Sequence, residues 1–179
     1  LYFFRWGAAW TWVSGVVLLY VIFWNGSLSV GESAGNLMFV AGTEVSTTAH
    51  LMLLFVFAGV FIYDFLYKSA LASNVRVITI VSFVLIGVVI YIMQHVVMFD
   101  YRAFNIHLGA LFGTIMAFNV WFRIWPAQQS IITSIKNGEA PDGDLLALAG
   151  LRSKHNTYLS VPLIWTMINQ HTTYFSGGN

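Results

Sequence analysis

Hydrophobic positions along the chain fall into five long runs that are separated by more polar stretches. A helix needs about 20 consecutive apolar residues to cross the hydrocarbon core of a bilayer. The runs therefore predict transmembrane helices over residues 6–25, 48–67, 77–98 and 106–125, with a shorter one over 157–174. Because a helix satisfies its own backbone hydrogen bonds in lipid, the pattern predicts an all-α, integral membrane bundle of about five transmembrane helices.

The polar stretches predict how these helices are connected. Residues 25–46 are rich in Gly and Ser, and residues 126–156 form a polar connection before the last run. On the fourth run, Gly109, Gly113 and Ala117 recur at four-residue spacing. Small residues at this spacing allow another helix to approach closely. No internal repeat is visible, so the 179 residues are interpreted as a single transmembrane domain.

Composition also favours lipid over water as the solvent of the surface. Charged residues make up 8% of the chain and apolar residues 58%, against about 25% and 45–50% in soluble domains. The net charge of +1 and the absence of a Lys/Arg cluster exclude nucleic acid as a partner, because no basic surface can neutralise phosphates. There is no cysteine, so a bound metal must be held by His, carboxylate or Met.

The distribution of basic residues predicts the orientation in the membrane. If the chain starts in the cytoplasm, seven of the eight basic residues lie on that side, namely Arg5, Lys68, Arg76, Arg123, Lys136, Arg152 and Lys154. Such an excess is typical of cytoplasmic loops. We therefore expect a bacterial inner membrane protein with residues 68–76 and 126–156 in the cytoplasm. Residues 25–46 and 99–105 are then periplasmic.

Four of the five histidines are expected near the periplasmic face. His50 opens the second run, His95 lies near the end of the third, His107 opens the fourth and His171 lies near the end of the fifth. Alternate threading brings all four towards the same side. His155 precedes His171 by sixteen residues, or about 24 Å of helix, so the two cannot share a ligand.

Imidazole is a usual ligand of haem b and of several non-haem metals. A bis-histidine haem b is therefore one hypothesis for the periplasmic histidines. His107 and His171 are favoured as ligands of the haem or of another metal, and His50 and His95 come next. The alternative is that these histidines, lying at helix ends, bond to water, lipid phosphate or carbonyl groups.

Other polar groups inside the runs are few. Asp64 is followed one helical turn later by Lys68, which indicates a surface ion pair worth about 0.3–0.5 kcal/mol. A proton-relay role for Asp64 is the second interpretation. Asn119 and Arg123 lie four residues apart on one face of the fourth run, and Arg123 can extend to the interface.

Several motifs with polar residues point to a known family. They are His107–Val120, Ile124–Gln128, Lys136–Pro141, Arg152–Pro162 and Asn169–His171, with Trp10–Gly15 and Tyr63-Asp64 upstream. Together they resemble the membrane domain of the bacterial urate hydroxylases, the cytochrome-c-coupled urate oxidases. In that family a multi-helix membrane domain precedes a C-terminal cytochrome c domain. Its motif histidines map onto His107, His155 and His171.

The resemblance implies a membrane redox protein with urate as substrate. It would pass electrons through the His-ligated cofactor near the periplasmic face to a cytochrome c. Arg152, His155 and Asn156 are the predicted substrate-binding residues, because Arg matches planar anionic acceptors such as urate. The alternative for this segment is a positively charged anchor on the cytoplasmic side.

A second hypothesis is a non-catalytic accessory or structural subunit of a larger respiratory or photosynthetic complex. A transporter is least favoured, since the sequence shows neither repeated broken helices nor paired buried charges. The chain opens without Met and ends at Asn179 directly after an apolar run, so we expect it to be part of a longer protein. The expected partners are the lipid bilayer and either cytochrome c or a larger membrane complex.

Overall fold

The computed structural model describes residues 2–25 and 46–170, and within these ranges the chain is helical with no strand. Six α-helices follow one another within these ranges, and two of them run on into π-helical turns. The elements are α1 (Tyr2–Leu19) with the π-turn Tyr20–Asn25, α2 (Thr47–Leu66), a 3₁₀ turn (Ala70–Ser73), α3 (Val75–His95), α4 (Tyr101–Asn119) with the π-turn Val120–Ile124, α5 (Trp125–Lys136) and α6 (Gly143–Asn169).

The all-α fold class predicted from the sequence is confirmed. Four helices in the described ranges are long and apolar enough to cross a membrane: Tyr2–Asn25, Thr47–Leu66, Val75–His95 and Tyr101–Lys136. The fifth predicted crossing, 157–174, falls on α6, which is not among these four and which begins much earlier, at Gly143. Residues 171–174 lie outside the described residues.

Polar residues in the connections determine where three helices begin. The Ser46 side chain accepts a hydrogen bond from the backbone N–H of Ala49 at the start of α2. Asn74 caps α3 and Asp142 caps α6 in the same way. Each side chain satisfies a backbone donor that has no partner within its own helix. Gly138, with φ of +76°, allows the chain to turn after α5.

Helix α4 is the centre of the bundle, with α6, α2 and α1 packed around it. Gly109 lets α6 approach closely, since a Cβ built there would lie 2.6 Å from Thr166 Oγ1. Gly59 on α2 lets that helix approach α4 closely, since a Cβ built there would lie 2.8 Å from Leu111 Cδ1. Helix α3 lies at the edge of the bundle, and only 6% of its most apolar 18-residue stretch is buried. Most of its surface is therefore available to lipid.

The polar connection predicted at 126–156 is a helical hairpin. It contains α5 and the first half of α6, which pack against each other through a small core of Ala127, Ile131 and Ala149. This hairpin extends from the end of the bundle where α2 ends and α3 begins. We refer to that end as the His155 end, and to the opposite end, where α4 begins, as the His107 end.

Candidate functional site

One carboxylate at the His155 end binds three cations. Asp64 on α2 lies 2.9 Å from Lys68 Nζ through Oδ2, and 2.9 Å from Arg152 Nη2 through Oδ1. Arg123 adds a two-point contact, with Nε at 2.9 Å from Oδ1 and Nη2 on Oδ2. The Asp64 and Arg152 side chains are 10% and 1% exposed. The predicted ion pair between Asp64 and Lys68 is confirmed, but its placement at the surface is wrong for Asp64, because this carboxylate is buried and joins three helical segments.

The π-turn after α4 supplies one of these cations. Arg123 lies within Val120–Ile124, where backbone hydrogen bonds span five residues instead of four. Asn119, just before the π-turn, donates to Tyr63 on α2. Arg123, within the π-turn, donates to Asp64, the next residue of α2. Consecutive residues of α2 are thus held by one short stretch of the central helix. π-turns are frequent at functional sites, which agrees with this placement.

Two of the three guanidinium nitrogens of Arg152 are not hydrogen-bonded to any described residue. Its Nη2 donates to Asp64, whereas its Nε and Nη1 are buried and have no hydrogen-bond partner among the described residues. The guanidinium carbon lies 4.9 Å from the centre of the Tyr63 ring and 5.8 Å from that of Tyr67. A buried donor without a partner costs about 1–3 kcal/mol. The cluster therefore holds three cations against one carboxylate, with two buried donors of Arg152 not hydrogen-bonded to any described residue.

A chain of hydrogen bonds runs beside Arg152. Asn119 Nδ2 donates to Tyr63 Oη and to Asn156 Oδ1, both at 2.9 Å. Asn156 Nδ2 donates to the Met116 carbonyl oxygen at 3.0 Å. Tyr63 Oη lies 2.7 Å from His155 Nδ1. The network ties α2, α4 and α6 together at one level of the bundle.

The three predicted substrate-binding residues do share this site. Arg152, His155 and Asn156 lie three and four residues apart, so they occupy one face of α6. Tyr63 and Asn119 also belong to this site, although the sequence pattern did not assign them to it. What could have identified them is that both carry hydrogen-bonding side chains inside apolar runs. Such groups cost free energy in lipid and usually have a function.

At the His107 end, both nitrogens of His107 are engaged. Trp24 Nε1 donates to His107 Nε2 at 3.0 Å, and His107 Nδ1 lies 2.7 Å from the Ala103 carbonyl oxygen. An indole N–H only donates, so Nε2 is the acceptor and Nδ1 carries the proton of a neutral imidazole. The fully buried ring also stacks on Phe99, with 4.4 Å between ring centres. In this arrangement His107 presents no free lone pair to a metal.

The other predicted ligands are arranged differently. His50 is exposed, and its ring centre lies 5.2 Å from that of Trp24. His95 is exposed and packs on Tyr91 of its own helix. His171 lies outside the described residues. Within residues 2–25 and 46–170, no group of three or more His, Cys, Asp or Glu side chains is placed to hold a metal ion. The haem prediction depends on His171 and therefore stays a prediction.

The sequence was also compared with known proteins. The model of a family described as "Urate oxidase N-terminal" matches residues 1–178, nearly the whole chain. Comparison with curated proteins and with solved structures gave no match.

Proposed function

The chain belongs to the urate oxidase N-terminal family, and from this membership we propose that it is the membrane domain of a urate-oxidising redox protein. The observation that carries the proposal is the buried Arg152 with two N–H-bearing nitrogens left without partners. These donors support an anion as ligand of the His155 end, and a family described as urate oxidase supports urate as that anion.

The site has the chemistry that a urate anion requires. Urate is a planar ring system with carbonyl oxygens, and it carries a negative charge at neutral pH. Arg152 offers donors from a planar cation, which suits planar acceptors better than a Lys ammonium does. Asp64 holds the guanidinium in place without neutralising the cluster, because Arg123 and Lys68 share the same carboxylate. His155 and Asn156 flank the position on the same face of α6.

The reaction also needs an electron acceptor. Hydroxylation of urate by water releases two electrons and two protons. Cytochrome c accepts one electron at a time, so two ferricytochrome c molecules are consumed per urate. In the proposed orientation, the His155 end faces the cytoplasm of a bacterial inner membrane, as the positive-inside distribution predicts, and cytochrome c docks at the periplasmic face. Because the two lie on opposite sides of the bilayer, the electrons would need a carrier between them, and the haem b predicted from the sequence would supply it.

Turnover and binding test the proposed function. The purified full chain, in detergent, is mixed with urate and ferricytochrome c, and urate binding is followed in parallel by equilibrium dialysis. We expect urate-dependent reduction of two cytochromes per urate. Arg152→Gln should abolish both binding and reduction. Lys154→Gln removes the same charge from an exposed neighbour on α6 and should leave both intact.

The opposite results are equally informative. If the wild-type chain binds no urate, the substrate assignment is wrong and an accessory subunit becomes the better hypothesis. Binding without any reduction of cytochrome c would contradict the redox role. Equal losses in the Arg152 and Lys154 variants would show that the effect depends on general charge and not on the buried site.

Haem b stays a prediction from the sequence, with His107 and His171 as the residues that would hold it. Ligation by His107 Nε2 would require Trp24 to release its hydrogen bond. The prediction requires a reducible Soret band in the purified chain that is lost in His107→Ala and His171→Ala and kept in His155→Ala. Equal loss in all three variants would contradict the assignment of the ligands to the His107 end.

The orientation is tested by labelling. The natural sequence has no cysteine, so single cysteines report without background. Glu139→Cys, between α5 and α6, should react with a membrane-impermeant maleimide only after cells are opened. Val96→Cys, between α3 and α4, should react from the periplasm. The reverse pattern would invert the proposed topology.

A further inference from the structure

The hydrogen bond between Tyr63 and His155 is a part of the site that substrate binding leaves unused. We propose that these two residues form a proton relay, in which Tyr63 takes a proton from the bound substrate and passes its own to His155. The inference rests on the proposed function and adds a path for one of the two protons that the oxidation releases.

The direction of the relay follows from the donors and acceptors. Asn119 Nδ2 donates to the Tyr63 oxygen at 2.9 Å. The relay assigns the Tyr63 proton to the other partner of this oxygen, His155 Nδ1, at 2.7 Å. In this assignment Nδ1 is the acceptor, and neutral His155 carries its proton on Nε2. The phenol then donates to His155 before any substrate binds.

The position of the pair also fits a relay. The Arg152 guanidinium carbon lies 4.9 Å from the centre of the Tyr63 ring, so the proposed binding of urate by Arg152 would bring the substrate near Tyr63. His155 is half-buried and can exchange protons with water. The charges nearest to the pair are those of Arg152 on α6 and, around Asp64, those of Arg123 and Lys68.

The step balances with the acceptor already named. As the substrate loses electrons to ferricytochrome c, its N–H becomes acidic and its proton moves to the Tyr63 oxygen. The Tyr63 proton moves at the same time to His155 Nδ1, which forms an imidazolium. The imidazolium then loses its Nε2 proton to water, and proton exchange with water moves the remaining proton from Nδ1 back to Nε2, so both residues regain their starting state. Tyr63 and His155 act as positioned proton carriers and undergo no oxidation.

Tyr67 provides the matched control. Its ring also packs against His155, at 4.3 Å between ring centres, and lies near Arg152, but its hydroxyl bonds to Ser82 Oγ. We expect Tyr63→Phe to lower the maximal urate oxidation rate by about 10²-fold or more, as general acid–base groups do. Urate affinity should stay within about threefold, whereas Tyr67→Phe should change neither quantity by more than about threefold.

Two further measurements separate a relay from a structural contact. His155→Gly should be slow, and added imidazole should restore the rate, which a merely structural histidine would not show. In ¹⁵N-histidine-labelled wild type, the nuclear magnetic resonance spectrum should show Nδ1 of His155 unprotonated, and Tyr63→Phe should perturb that signal. This measurement does not depend on turnover and also reports whether the variant is folded.

The outcomes distinguish the relay from the proposed function. Wild-type turnover with a normal rate in Tyr63→Phe, no rescue by imidazole, or a protonated Nδ1 would each overturn the relay and leave the urate assignment standing. A wild-type chain that neither binds nor oxidises urate would overturn the proposed function, and the relay for that reaction with it.

Discussion

Replacing Asp64 by Asn should destabilise this protein more than any other single change in the polar cluster. The substitution keeps the size and planarity of the side chain but removes the only negative charge that contacts three cations among the described residues. Arg152, at 1% exposure, then has no counter-charge. Lys68 is 57% exposed and can turn to solvent or lipid phosphate.

The magnitude is set by the buried partner. Breaking a buried ion pair by removing one side costs about 3–5 kcal/mol, because the remaining charge is uncompensated. The exposed pair with Lys68 adds no more than about 1 kcal/mol. Arg152→Met should cost only about 1–2 kcal/mol, since Asp64 keeps Arg123 and Lys68 and what is lost is mainly the contact with the Tyr63 ring.

The double variant makes the reasoning testable. Combining Asp64→Asn with Arg152→Met removes the stranded buried charge, so it should recover about 1–3 kcal/mol of the Asp64→Asn loss. The free energy of unfolding is measured by sodium dodecyl sulfate titration in mixed micelles, with helicity followed by circular dichroism. Lys68→Met is the control. A loss in Asp64→Asn no larger than in Lys68→Met, or no recovery in the double variant, would refute the buried-charge argument.

Two further predictions concern packing. Trp24→Phe should lower the free energy of unfolding by about 1–3 kcal/mol, because it leaves His107 Nε2 buried without a donor, and an unchanged unfolding curve would contradict the hydrogen bond. Gly109→Ala should cost about 1–3 kcal/mol, since its Cβ would lie 2.6 Å from Thr166 Oγ1. Gly113→Ala meets no atom within 4 Å, so the same titration should show a loss only at position 109.

The sequence alone determined the helical architecture. Runs of about 20 apolar residues have few alternatives in lipid, because any other backbone would leave hydrogen bonds unsatisfied. The sequence grouped Arg152, His155 and Asn156 in one segment, and only the structure showed that this segment is helical, so that the 3.6-residue period puts all three on one face. Where helices begin was less well determined. The polar residues before 157 gave no apolar signal, yet α6 begins at Gly143, capped by Asp142.

Only the tertiary structure decided which polar groups meet. Asp64 lies 59 residues from Arg123 and 88 from Arg152, and the sequence offered just its neighbour Lys68 one turn away. Likewise, the sequence placed His107 near a helix end but contained nothing to show that Trp24 occupies its Nε2 lone pair. Periodicity tells which way a side chain points relative to its own helix, whereas its partner depends on how whole helices pack. That packing brings Asp64 and Arg152 together across 88 residues, and it makes a buried cluster of one carboxylate and three cations out of what looked like a surface pair.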